Sequence, residues 1–175
     1  MYRLYHYVGP PEIRERVSKQ PPGRVVSSAA DVVRWIEDTE QAPGAEGYYL
    51  ATFVVDHEGA LRIEDYGHEH VSCAGGGPVR SAGVAWFDVE GAVVEVAKVS
   101  NQSTGFCPEP TSWPAVEESL EAAGLEHPGE FTQPIVFRLC PHCGQRNIVK
   151  DEWYYCGVCD GELPADWNFP SQRTA

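Results

Sequence analysis

The sequence predicts an α+β fold: a mostly antiparallel sheet wound as a meander, helices packed on one face of it, and a C-terminal metal-binding ribbon. Three observations predict it. Runs of β-branched and aromatic residues recur between positions 48 and 99, punctuated by glycine turns. Apolar residues recur at helical spacing over 29–36 and again over 113–123. Two C-x2-C pairs lie near the end of the chain, Cys140/Cys143 and Cys156/Cys159.

Residues 2–8 alternate enough to suit a strand. Pro10 and Pro11 then suit the first turn of a helix, where proline's missing N–H is not needed, and Ile13 and Val17 share its face. Pro21-Pro22-Gly23 breaks the chain. Val25 and Val26 lead to Ser28, an N-cap, with Asp31 at N3 near the positive helix end. Ala29, Val32, Val33 and Ile36 follow at i, i+3, i+4 and i+7. After a loop at 41–47, strands are expected over 48–55, 60–65, 79–88 and 92–99, with Gly59 and Gly91 in the first and third turns. Thr111 or Ser112 caps a further helix with Pro114 in its first turn. Trp113, Val116, Leu120 and Ala123 form its face; Gly124 stops it, and Leu125 can fold back onto Leu120. Residues 134–139 make a last strand that feeds the ribbon, and Trp167 and Phe169 can hold an otherwise frayed tail.

The chain has 175 residues, 42% of them hydrophobic. That suffices for one domain with a core and is too short for two of full size. Acidic residues outnumber basic ones, 26 to 13, for a net charge of −13. Such a surface repels phosphate and anionic lipid, so duplex nucleic-acid binding and membrane docking are not expected. No run approaches the roughly 20 apolar residues of a membrane span. The N-terminal residues carry no apolar signal region, so the expected compartment is the cytoplasm.

Of the six cysteines, four fall in the knuckles Cys140-Pro-His-Cys143 and Cys156-Gly-Val-Cys159. Two C-x2-C knuckles bring four thiolates to the corners of a tetrahedron, the pattern of a zinc ribbon holding one structural Zn2+. Four protein ligands leave no open position for water or substrate. With the metal bound the formal charge falls to about −15. Asn147-Ile148-Val149 and Trp153-Tyr154-Tyr155 are expected as strands turned by Lys150-Asp151-Glu152, and Gly144 and Gly157 suit the tight knuckle turns. His142 is expected to face solvent. Arg138, Arg146 and Lys150 are offset by Asp151, Glu152, Asp160 and Glu162, so the ribbon is read as a clamp, or as a platform offering Trp153, Tyr154 and Tyr155 to a protein.

Two stretches carry further chemistry. If residues 68–73 are extended, His68, His70 and Ser72 share one face, and two histidines with Asp56 or Asp65 are candidates for a second metal. The alternative is histidines bonded to nearby carboxylates. Cys73 is a candidate nucleophile with His68, His70 or His57 as partner. Glu64, Asp65 and Glu69 disfavour a thiolate there, so a buried structural cysteine is the preferred reading. Gly75-Gly76-Gly77 has no helix behind it and is not a phosphate loop. The second stretch, Ser100-Asn101-Gln102-Ser103-Thr104, joins a strand end to a helix start. It reads either as a ligand pocket or as a turn whose side chains satisfy their own backbone.

The order Ala74-Gly75-Gly76-Gly77-Pro78-Val79, Ser81-Ala82-Gly83-Val84, Glu90-Gly91, Ser100-Asn101-Gln102-Ser103-Thr104-Gly105-Phe106-Cys107-Pro108, then a helix ending at Ala123-Gly124, resembles a segment of bacterial toxin- and conflict-system-associated proteins and of plant calmodulin-binding IQ-motif proteins. Those carry a glycine turn, an A-G-E strand start and N-x-S-G-H-Y-x-P before a helix. The resemblance spans residues 68–125. Val84 stands where the family has Glu, and Thr104-Gly105-Phe106-Cys107 replaces its Gly-His-Tyr run, so chemistry by the family histidine is not implied. No IQ-type basic helix occurs, and calmodulin binding is not implied either.

The resulting expectation is a core over 1–133, a zinc ribbon over 134–165 and a short tail over 166–175. The leading function is an acidic, zinc-stabilised protein-binding module, a bacterial conflict-system or regulatory component. The alternatives are a small Cys/His enzyme using Cys73 with His68 or His70, and a small-molecule or nucleotide sensor using Ser100, Asn101, Gln102 and Ser103.

Overall fold

The computed structural model describes residues 1–170. Its centre is a five-stranded antiparallel sheet in the order β1 (Arg24–Val25), β3 (Leu61–Asp65), β2 (Tyr49–Asp56), β4 (Val79–Glu90), β5 (Val93–Val99). The β2–β3 and β4–β5 hairpins follow the glycine turns, with Gly59 and Gly91 at φ of +93° and +63°. Between them the order departs from a simple meander. β3 and β4 flank β2 on opposite sides, and the connecting segment crosses over β2 through a short helix, α3 (His70–Cys73). The predicted strand at 2–8 forms only a single bridge, Tyr5 with Val79, because Pro10 and Pro11 turn the chain away at once.

Register assigns the two faces. Phe53 opposes Ile63 and Gly83, and Val55 opposes Leu61, so these residues share one side of the pleat. On that side lie α2 (Ala29–Asp38) through Val32 and Trp35, and α4 (Trp113–Ala122) through Val116 and Leu120. The other face is covered as well, since Val54 and Ala82 pack there against Val71 and Cys73 of α3, Val17 of α1 (Pro11–Val17), Tyr5 and Phe106.

The helix signals act largely as expected. Ser28 and Asp31 form a reciprocal capping box on α2. α4 ends in a Schellman arrangement: the Leu125 N–H donates to Leu120 O at 3.0 Å and Gly124 N–H to Glu121 O at 3.0 Å. Ser112 differs. Its hydroxyl does not cap α4 but meets the Ser81 hydroxyl at 2.8 Å inside the core, and a 3-10 turn over Pro110–Ser112 leads into the helix instead.

Beyond α4, β6 (Val136–Leu139) pairs with β7 (Arg146–Val149) around the first knuckle. The Asn147-Ile148-Val149 strand is therefore real, but its partner is β6, not 153–155. The second knuckle is flanked by a single bridge, Tyr155 with Glu162. Trp167 and Phe169 do hold the segment after Pro164 to the body: the Trp167 indole N–H donates to Cys107 O at 2.8 Å, and Phe169 is buried against Phe137. Asn168 pairs with both the N–H and C=O of Leu139, extending the ribbon's ladder with a side chain.

Candidate metal centre and cleft

The two knuckles place four sulfurs together. Cys140 Sγ lies 3.5 Å from Cys159 Sγ and Cys143 Sγ 3.6 Å from Cys156 Sγ, and all four are within 4.8 Å of one another. A tetrahedron with Zn–S bonds of about 2.3 Å has edges of about 3.8 Å, so the donor set fits one structural metal ion such as zinc. Each knuckle uses one residue with positive φ after its second cysteine: Gly144 at +77° and Asp160 at +60°. Asp160, not Gly157, is thus the counterpart of Gly144. Gly157 instead donates its N–H to Asn147 Oδ1 at 3.0 Å. Gly161 is where the knuckles meet, since a methyl there would sit 2.4 Å from His142 Cδ2.

The field around the sulfurs favours metal. The Cys159 N–H, helped by the Val158 N–H and the Asn147 amide, holds the Cys156 thiol down to about 6. The Gly161 N–H favours the Cys159 thiolate too, yet the neighbouring sulfurs outweigh it and push that thiol up to about 12. Four thiolates in one place repel one another, and a dication removes the conflict. Among the ribbon's cations, Arg138 is buried in an ion pair with Glu109 at 2.7 Å and donates to Ala165 O, while Arg146 is bonded to Thr104 O. Lys150 alone is left facing solvent.

The histidine–cysteine stretch is not extended. Residues 70–73 form the helical turn α3, so His68 and His70 do not share a strand face. Asp56 closes the β2–β3 turn and pairs with Arg62 at 3.0 Å, and Asp65 accepts from the Trp35 indole at 3.2 Å. Among the described residues no second metal cluster forms around these histidines. The histidines follow the bland alternative in part: His68 lies 3.5 Å from Glu64, and the ring of His70 bonds to Gly83 O at 2.8 Å. Burial pulls the His70 pKa down to about 4, which keeps the ring neutral and its Nε2–H the donor.

Glu117, Glu121 and His127 also lie close together. His127 Nδ1 accepts the Gly129 N–H at 3.1 Å, which leaves the proton on Nε2, 3.6 Å from Glu121. A ring in that tautomer offers no Nε2 lone pair to a metal.

Cys73 is fully buried, with its thiol directed at Arg62 O at 3.5 Å, and burial raises its pKa well above the ordinary thiol value. It also packs on Gly23, where a methyl would lie 2.6 Å from its sulfur. Iodoacetamide at neutral pH is therefore expected to leave Cys73 unmodified in the folded, metal-loaded protein, and Cys73→Ala to cost about 1 kcal/mol. Mass-spectrometric peptide mapping checks this; labelling of Cys73 faster than global unfolding would reverse the assignment.

The polar run divides by position. Ser100, Asn101 and Ser103 are fully buried and hold backbone: Ser100 Oγ accepts from Val84 N at 3.3 Å and Ser103 Oγ from Phe106 N at 3.3 Å. Gln102 and Thr104 project outward, into a cleft of about 280 Å3 that His68, His70, Thr52 and Val84 also line. The histidines and the loop thus converge, whereas Cys73 and Asn101 lie in the core. All five residues from Ser100 to Thr104 are polar, so no apolar periodicity in the sequence separates the buried ones from Gln102 and Thr104.

The chain matches no family model, no curated protein and no solved structure. The resemblance of residues 68–125 to conflict-system and IQ-motif proteins has no support from these comparisons. No helix among the described residues is long and apolar enough to cross a membrane.

Proposed function

We propose that this chain is an acidic module, clamped by zinc at Cys140, Cys143, Cys156 and Cys159, that docks a protein partner through the aromatic surface of its ribbon. The observation that carries the reading is the exposure of Trp153 and Tyr155, at 68% and 46%, with ring centroids 4.8 Å apart. Tyr154 between them turns inward onto Cys140, Cys156 and Leu163. Val158, on the second knuckle, is 69% exposed. Burying each such side chain in a contact is worth about 1.5–3 kcal/mol, and aromatic anchors on a rigid support are the usual centre of an interface. The acidic surroundings, Asp151, Glu152, Asp160 and Glu162, suit a partner with apolar side chains flanked by Lys or Arg. With no support for a conflict-system setting, the partner is defined by this chemistry.

The test is quantitative affinity capture followed by hydrogen exchange on the complex. A partner held through Trp153 and Tyr155 is expected to fall away at least about tenfold with the Trp153→Ala, Tyr155→Ala double variant. It should persist with Val93→Ala, an exposed control on β5, and residues 153–158 should gain protection in the complex. Binding insensitive to the double variant would overturn the reading, as would salt-sensitive binding of duplex DNA at physiological ionic strength.

A further inference from the structure

The cleft between α3 and the 100–107 loop has a chemistry of its own. Val84 and Thr52, neighbours across the β2–β4 pairing, line it from the sheet. Tyr66, 61% exposed, stands at its wall. His70 donates Nε2–H to Gly83 O at 2.8 Å, leaving Nδ1 as an acceptor. The Gln102 carboxamide and the Thr104 hydroxyl make no hydrogen bond among the described residues, although their backbones are fixed by Ser100 and Arg146. Two side chains on a fixed backbone thus offer free polar ends to a ligand.

The dimensions and charge narrow the ligand. A volume of about 280 Å3 lies just under the range of roughly 300–1,000 Å3 for drug-sized ligands, so one small ring system fits. No Lys or Arg side chain lines the cleft, and Arg146, which adjoins it, is engaged by the Thr104 carbonyl; His70 is neutral, and Glu64 and Glu69 stand beside His68 in a chain of net charge −13. An anion is therefore disfavoured. A carboxamide presents a donor and an acceptor side by side, the pattern that reads the N6/N7 edge of adenine, and a base ring stacks on tyrosine.

We propose that this cleft binds an uncharged nucleobase or nucleoside, its ring against Val84 and Tyr66 and its edge read by Gln102, Thr104 and His70. The site is separate from the ribbon's aromatic surface, so either assignment stands or fails without the other.

The experiment is a titration of the zinc-loaded, 15N-labelled protein with adenosine, guanosine, cytidine, uridine and adenosine monophosphate. At least one nucleoside, adenosine first, is expected to give saturable shifts at residues 66–70, 84 and 102–104, with a dissociation constant below about 1 mM. The monophosphate should bind several-fold more weakly than adenosine. Gln102→Ala and Tyr66→Ala remove exposed side chains and leave the spectrum otherwise dispersed; each should weaken binding about five- to tenfold. No saturable shift with any nucleoside up to about 5 mM would overturn the proposal. So would shifts confined to other regions, variants that bind as the wild type does, or tighter binding of the monophosphate.

Discussion

Stripping the metal, or replacing Cys156 with Ser, is expected to unfold residues 140–163 while the five-stranded sheet persists. The ribbon has almost no core of its own. Between 140 and 163 the buried residues are Cys140, Cys156 and Leu163, with Val149 and Tyr154 packed partly against them, and two of those three are ligands; Phe137 of β6 packs on Cys107 and Phe169 instead. Its hairpin, β6–β7, is a two-stranded ribbon of four residues a side, marginal alone in water. The binding energy of a four-thiolate zinc site, about 10–16 kcal/mol in small zinc domains, is then nearly all the folding energy this segment has. The sheet, by contrast, holds Trp35, Phe53, Phe87 and Ile63 fully buried and makes no use of the metal. Elemental analysis should find one zinc per chain. Hydrogen exchange before and after chelation should show protection lost over 140–163 and retained in β2 and β4. Unchanged protection of the knuckles after complete metal removal would sink the structural-metal assignment.

What could be read from the sequence was what neighbours decide. The α2 capping box, the Schellman end of α4 and the two knuckles are set by residues within six positions of one another, and each formed as its spacing implied. What could not be read was set at a distance. Residues 68–73 can be read as an extended segment, but 70–73 coil into α3, where Cys73 packs under Gly23 and His70 reaches Gly83, contacts far away in sequence. β6 and β7 were legible as strands and not as partners, and 153–155, expected as a strand, contributes only the Tyr155–Glu162 bridge. β7 finds β6 because Cys140 N–H and Gln145 O close the first knuckle at 2.8 Å and thereby align what lies on either side. The 100–104 run suits a pocket or a self-satisfying turn, and Ser100, Asn101 and Ser103 are buried while Gln102 and Thr104 face outward, a division that five polar residues in a row do not signal.

Asn101→Ala is expected to destabilise the whole domain by about 3–5 kcal/mol, the largest effect of any single polar truncation here. Asn101 is fully buried, and its carboxamide makes three hydrogen bonds: Nδ2 donates to Pro108 O and to Ile135 O, each at 2.8 Å, and Oδ1 accepts from Ile135 N at 2.7 Å. One side chain thus joins the end of β5, the loop before α4 and the start of the strand that leads into the ribbon. Truncation leaves two carbonyls and one N–H in the core without these partners, and each orphan costs about 1–3 kcal/mol. Because Ile135 adjoins β6, the variant should also loosen the packing of the ribbon's Phe137 on Cys107 and Phe169 without removing a single metal ligand. Urea melts check the magnitude; a loss under about 1 kcal/mol would show that the triad of bonds is incidental. Asn101→Asp separates bonding from shape. Its carboxylate would face two carbonyl oxygens, so its folded-state pKa must rise above the unfolded value of about 3.9. A group raised on folding contributes stability that is present below the unfolded pKa and lost as pH rises through the folded one. Compared with wild type at each pH, so that metal loss in acid cancels, the Asp variant should therefore be least destabilised near about pH 4 and most destabilised at about pH 7 and above. A deficit independent of pH would mean that the side chain at position 101 fills space and does not hold the three backbone groups.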